Sequence, residues 1–214
     1  DACAAEIAGG AVVFVPPLGG ALTGSTTVTR STSGIEGGGV LIGGGAPLLI
    51  DSGVLIQECS AWWGGGVMLK EGATGTFRGA TLKGNTAVFD GAGVATESLT
   101  TVVLTNAAHI DSNVALGPVA GGAGIYLGAN SAIMVSGDSS IKGNVAANGH
   151  GGGVFASTGT TFDMTSGSVS NNVAAVSGGG IYLEGDNVAR VTTVQSEFAE
   201  NVAIAGTGGG VFAD

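Results

Sequence analysis

Chemistry in this chain would have to come from sixteen Asp and Glu, two His and two Cys, set against only six Lys and Arg in 214 residues. Two or three carboxylates held together, or a carboxylate beside a base, would do general acid–base work or glycoside cleavage. The spacing does not gather them. Asp51, Asp138 and Asp163 fall in or near turns but in different phases, and His109 and His150 stand isolated. Cys3 and Cys59 have no metal-type spacing. A calcium roll needs glycines with an Asp at a fixed offset in every nonapeptide, and that pattern is absent; Glu184-Gly185-Asp186 reads as a solvated turn. These residues point to no catalytic site, no metal and no cofactor.

What would position any site is a repeat. Anchored on the Val or Ile that follows each glycine cluster, it falls at Val40, Val67, Val94, Ile125, Val154, Ile181 and Val211, with spacings of 27, 27, 31, 29, 27 and 30. Such a period signals a solenoid. Upstream of each anchor runs a second motif, an apolar residue, two spacers and usually Asn. It ends at Asn85, Asn113, Asn144, Asn172 and Asn201, and two earlier copies, Val28 to Ser31 and Leu55 to Glu58, keep the frame without the Asn. A looser apolar piece lies between, as in Leu48 to Ile50 and Val102 to Leu104. Gly, Ser, Asn, Asp and Thr clusters separate the pieces and favour turns. No unit carries a capped helical pattern.

Three short strands per unit describe one coil of a right-handed parallel β-helix. Seven or eight coils, spaced by about 4.8 Å, make a rod on the order of 35 Å long. The 43 Gly residues and 44% apolar content fit a narrow section with tight corners. The chain reads as one β-helix domain over residues 1–214, with 1–27 an irregular coil or cap and 28–214 regular. Gly9-Gly10-Ala11-Val12 and Gly19-Gly20-Ala21-Leu22 both resemble degenerate anchors, and Pro16-Pro17 marks a break. In this frame Asn85, Asn113, Asn144, Asn172 and Asn201 form a structural ladder, since Asn tolerates the left-handed conformation and stacked amides bond one another. Cys3 falls at the Asn position two coils from Cys59, too far for a disulfide without rearrangement. Placed in the same frame, the position after the apolar residue of the Asn motif reads Thr29, Ile56, Lys83, Asp111, Lys142, Ser170 and Ala199, which clusters no acids.

After each anchor the residues alternate, so anchor and anchor+2 point inward and anchor+1 outward. The outward column reads Leu41, Met68, Ala95, Tyr126, Phe155, Tyr182 and Phe212. Its aromatic part has two readings: packing of large side chains between coils, or a stripe that docks a partner chain, another segment or a carbohydrate. Trp62 and Trp63, beside Gly64-Gly65-Gly66, either extend that face or plug a groove.

The apolar-X-X-Asn motif paired with Gly-Gly-X-Ile/Val resembles the chlamydial polymorphic outer-membrane proteins and related autotransporter adhesin passengers. The signature appears as Phe198-Ala199-Glu200-Asn201 and Gly179-Gly180-Ile181, and the resemblance covers about residues 28–214. It implies a surface passenger working in adhesion or as a scaffold. The membrane β-barrel that such passengers carry is not in this sequence, so the resemblance does not extend to autotransport.

A net charge of −10 disfavours a nucleic-acid partner, which needs a basic stripe. No apolar run is long enough to insert this segment into a membrane. There is no Asn-X-Ser/Thr acceptor. The chain reads as a processed form or as the ordered part of a longer one. The leading expectation is a non-enzymatic, secreted or cell-surface structural protein that stacks end to end with copies of itself into a filament. The alternative is an adhesin that binds carbohydrate or a host cell-surface protein through Tyr126, Phe155, Tyr182 and Phe212, and a polysaccharide lyase or glycosidase stands behind both.

Overall fold

The computed structural model describes residues 4–5, 10–15, 18–117 and 121–214. Cys3, Gly9, Pro16 and Pro17 lie outside the described residues. Every described strand pairs in parallel with the coil before or after it, and no helix occurs among the described residues. The anchors form one eight-stranded sheet in unbroken register, Val12 to Val40 to Val67 to Val94 to Ile125 to Val154 to Ile181 to Val211. The dipeptides that follow the Asn column form a second eight-stranded sheet, from Ala4–Ala5 to Val202–Ala203. The remaining segments make the third face. This is a parallel β-solenoid of about seven turns.

The coils that start at Val40, Val67, Val94 and Ile125 have four strands where three were expected, and those that start at Val154 and Ile181 have three, with Thr161–Ser170 and Val188–Ala199 running unbroken along the third face. In the coil that starts at Val67 the four are Val67–Leu69, Thr74–Arg78, Thr81–Lys83 and Thr86–Ala87. The Asn motif splits because Asn85 sits at a corner, so its apolar residue and its following dipeptide belong to different sheets. Gly20–Leu22 is not an anchor; it pairs with Leu48–Ile50 on the third face.

The interior is mostly apolar. Val40, Ile42, Val67, Leu69, Leu82, Ile110 and Ile141 are fully buried, and each such side chain contributes about 1.5–3 kcal/mol of burial. The section is narrow enough that two kinds of glycine are obligatory. Gly151 adopts φ 62° at the turn before its anchor. Gly153 has ordinary φ but lies against the next coil, where a Cβ would sit 2.6 Å from the Gly180 carbonyl oxygen and 3.0 Å from Asn172 Nδ2.

The Asn corner is a continuous hydrogen-bonded column. Asn144 Oδ1 accepts from both the backbone N–H and Nδ2 of Asn113, each at 3.0 Å. Asn144 Nδ2 donates to Ile110 O at 3.0 Å and to Asn172 Oδ1 at 2.9 Å. The same pattern links Asn85 to Asn113 and Asn172 to Asn201. The left-handed residue is not the Asn but the one before it: Arg30, Glu58, Gly84, Ser112, Gly143, Asn171 and Glu200 all have φ between 52° and 66°. That turn aims the Asn amide along the axis.

The second copy of the motif is shifted by one from the sequence frame. Ile56, not Leu55, pairs with Val28 and Leu82, so the ladder position is Cys59, not Glu58. Leu55 and Ile56 are both apolar, and without an Asn the sequence did not separate them; the period of two makes the difference decisive. Cys59 is a free, buried thiol. Its backbone N–H reaches Asn85 Oδ1 at 3.0 Å, and burial pushes the thiol's pKa up.

Ion pairs also run from coil to coil. Arg78 grips Asp51 through Nε at 2.8 Å and through Nη2, and Arg30 meets Glu58 at 2.9 Å. The Arg78 bonds, aided by the Ser52 backbone N–H, lower the Asp51 pKa to about 2.

Three outcomes follow from these columns. Asn144→Ala strips the acceptor from two buried N–H groups and the donor from two buried oxygens. At roughly 1–3 kcal/mol for each unsatisfied group, it should destabilise the fold by at least about 3 kcal/mol, read from the urea midpoint. Cys59→Asn should do the opposite: its amide would reach Val28 O and Asn85 Oδ1 as its neighbours do, adding about 1 kcal/mol. Because the folded pKa of Asp51 is depressed, its contribution is present above pH about 4 and disappears as pH falls towards about 2. Arg78→Met should return most of that shift, seen as an NMR titration of Asp51 moving back towards the ordinary carboxylate range.

Candidate functional site

Three outward columns cover the anchor face. The first is the anchor+1 column. The second is the residue before each left-handed turn glycine: Glu36, Trp63, Asp90, Gly121, His150, Ser177 and Thr207, linked by bonds such as Gly37 N–H to Trp63 O and Gly91 N–H to Gly121 O. The third, at anchor+3, reads Lys70, Glu97, Gly128, Ser157, Glu184 and Asp214. Only the first was picked out from the sequence. The second could have been found by aligning the turns on their glycines.

In the first column the aromatic rings stack face to face. Centroids are 5.4 Å apart for Tyr126 and Phe155, 5.1 Å for Phe155 and Tyr182, and 5.3 Å for Tyr182 and Phe212, all within 21° of parallel. Each contact is worth about 0.5–1.5 kcal/mol beyond its area. The rings therefore cover one another: Tyr182 is 7% exposed, and Tyr126, Phe155 and Phe212 are partly buried. The stripe presents ring edges to solvent. His150 tilts against Tyr182 at 4.5 Å, with its buried Nδ1 unpartnered. Tyr182 OH lies 3.3 Å from Asp214.

Towards the N-terminal coils the column turns aliphatic. Leu41, Met68 and Ala95 form a small buried cluster that Trp63 packs against. Trp63 also stacks on Phe89 at 5.0 Å, and Trp62 meets both edge-on. Trp63 thus covers the face, while Trp62 stands 48% exposed.

Between these two regimes the column drops to a methyl group at Ala95, and the neighbouring columns reach Gly121 and Gly128 one coil on. The result is an open cavity of about 590 Å³, with Tyr126 and Trp63 as aromatic walls and Met68 and Ala95 below. Glu36, Glu71, Asp90 and Glu97 line it. Lys70 bonds Glu36 at 2.8 Å and also pairs with Glu97. Burial opposes the charge on Lys70, but those two carboxylates outweigh it and raise its pKa. Glu97 also accepts the Glu71 backbone N–H at 2.9 Å. Asp90 accepts the Gly121 N–H at 2.7 Å; burial still raises its pKa, against the lowering effect of that bond and of the Trp63 side chain. Burial, together with the nearby charges of Asp90 and Glu184, raises the Tyr126 pKa.

A second polar surface lies on the third face. In the corrected frame the column beside the Asn motif is Thr29, Gln57, Lys83, Asp111, Lys142, Ser170 and Ala199. His109 is not out of register. It pairs with Thr81 and Ser140, sharing a hydrogen bond with Ser140 Oγ at 2.8 Å through Nδ1. Asp111 has Lys83 at 3.8 Å on one side and Lys142 in register on the other, so a carboxylate stands between ammonium groups and not beside a second acid. His109, Asp111, Lys142 and Glu197 share a shallow depression of about 430 Å³. Asp163 registers between Met134 and Arg190. Among the described residues no group of three His, Cys, Asp or Glu is placed to hold a metal ion, and no helix is long and apolar enough to cross a membrane.

The model of a right-handed β-helix region matches residues 18–213. No curated protein and no solved structure matches the chain. The match runs from just before the Gly20–Leu22 strand to the last anchor strand, over the same coils whose registers and corners are described above, and the chain belongs to the right-handed β-helix family.

Proposed function

We propose that this protein is a non-enzymatic, extracellular β-helical scaffold that works by holding a recognition face on a stiff rod. The observation that carries this reading is how its outer side chains are used. Aromatic rings stack on aromatic rings of the next coil, and the carboxylates of Glu36, Asp51, Glu58, Glu97 and Asp111 each meet a cation, in every case from another coil. Glycan cleavage needs a raised acid facing a free base or nucleophile; Asp90, whose pKa burial raises, is held by the Gly121 N–H. The extracellular placement draws on the tendency of β-helix proteins to act outside cells, on the acidic, Lys-poor composition, and on the likeness to adhesin passengers.

The purified protein should release neither reducing ends nor unsaturated sugars from a panel of neutral and acidic polysaccharides. Turnover that Asp111→Ala, Asp163→Ala or Asp90→Asn abolishes would overturn the non-enzymatic reading. Antibody raised against the protein should label intact, unpermeabilised source cells or their medium; signal confined to permeabilised cells would overturn the placement.

A further inference from the structure

We propose that the outer face of the second sheet is a dimerisation surface, on which two copies of this chain pair face to face with their rods antiparallel. The inference goes beyond the scaffold reading and does not rest on it.

On that sheet Ala61, Ala87, Ala115, Ala146 and Ala174 point inward and are buried, so the residues on either side of each point outward. One outward column reads Trp62, Val88, Leu116, Ala147, Ala175 and Ile204. The ladder holds it in register: the Val88 N–H bonds Ala61 O, the Leu116 N–H bonds Ala87 O, and the Ile204 N–H bonds Ala174 O. The other column is Thr and Ser in the N-terminal coils and becomes Val114, Val145, Val173 and Val202. Trp62, Val88, Leu116 and Ile204 are between 40% and 70% exposed. Neither column contains a charged residue, although the chain carries a net charge of −10. Two copies therefore meet here without bringing carboxylates together. An occupant that touches every rung must also repeat at the ladder spacing, and a second copy does so by construction.

The size profile of the first column defines the arrangement. It is bulky towards the N-terminal coils and falls to methyl groups at Ala147 and Ala175. A two-fold axis that runs along the strands through the Leu116 rung reverses the order of the coils and keeps each column facing itself. Trp62 then enters the recess over the second copy's Ala175, Val88 lies on Ala147, and Leu116 meets itself on the axis. The same operation pairs charges at the rim. Arg30 and Glu200 are exposed corner residues, each two positions before the outward residue of its strand, Thr32 and Val202, and they come opposite one another twice. Arg30 gives its Nε–H to Glu58 of its own chain, which leaves the other guanidinium N–H groups for the second copy's Glu200. Shape and charge thus select one register.

Seven rungs at about 4.8 Å and two columns with their rims cover roughly 500 Å² on each copy. A total of about 1,000 Å² is the threshold of a specific contact, and the exposed Trp62 is the kind of side chain that anchors one. The dimer is therefore weak and reversible, populated at micromolar concentration and above.

Sedimentation velocity from micromolar to millimolar concentration should show a monomer–dimer equilibrium and no larger species. Ala175→Trp sets indole against indole at both ends of the interface and should weaken dimerisation at least tenfold. The melting temperature should hold, because the side chain at 175 points out of the fold. Trp62→Ala leaves the recess unfilled and should weaken dimerisation similarly. It also removes edge contacts with Trp63 and Phe89, so a mixing experiment supplies the control. An equimolar mixture of the two variants should recover the dimer, since every indole then faces a methyl group again; variants that had merely lost stability would not rescue one another. Glu200→Arg brings like charges together at the rim and should weaken dimerisation several-fold, less so at high salt. A wild-type protein that stays monomeric, oligomers that grow past the dimer, dimers that Ala175→Trp leaves intact, or a mixture that fails to associate, overturns the proposal.

Discussion

The carboxamides of Asn113, Asn144 and Asn172 each satisfy groups on both neighbouring coils, and the rest of the rod depends on that. The oxygen takes two N–H groups of the coil before, and the amide nitrogen serves a carbonyl before and an oxygen after. A narrow solenoid turns sharply at its corners, where the ladder bonds of the flat faces are interrupted. Buried peptide groups there must find partners, and a side chain that repeats every coil supplies them everywhere at once. The left-handed residue before a ladder Asn is strained where it is Ser112, Asn171 or Glu200, and conformations of this kind persist only when the surroundings over-determine them. Here the Asn column is the over-determining element.

Because the same position recurs every coil, side chains act as columns and not as individuals. A column inside is mostly apolar, and where a polar group enters it, as Thr96 does beside Leu69, its hydroxyl accepts the Gly128 N–H. A column outside tolerates alternation of charge, as in Lys83, Asp111 and Lys142, because opposite charges in adjacent rungs attract. The aromatic column follows the same logic: faces stack, edges remain, and a long apolar stripe becomes compatible with water. Low charge and high glycine content are consequences of this economy of positions, since an exposed rung must be small or paired with its neighbours.

The fold was legible in the sequence because its strongest signals are the ones stacking requires. Val40, Val67, Val94 and the later anchors had to be apolar, the glycines before them had to be small, and Asn85 to Asn201 had to be Asn. Reading failed where a coil lacked the marker. Without Asn, Leu55 and Ile56 were equivalent candidates, and the one-residue error hid Cys59 as the ladder member. His109 looked isolated because its partners, Thr81 and Ser140, share no chemical identity with it and are joined only by register. The turn column stayed hidden because Glu36, Trp63, Gly121 and His150 share little beyond their place before a glycine with positive φ. The cavity was the least legible feature, since it depends on Ala95, Gly121 and Gly128 being small in three columns that meet only in space.

That last case shows where function is to be sought in a solenoid. Regular rungs are determined by their neighbours: replacing one disturbs two others, so their identity answers to packing. A rung that departs from its column is freed from that constraint, and the departure leaves a defined volume whose walls the regular rungs still fix. Ala95 breaks an otherwise bulky column, while Tyr126 on one side and Met68 on the other keep their column geometry. The walls of the cavity come from the repeat and its place from the interruption, and both are set by coils that Asn85, Asn113 and Asn144 hold in register.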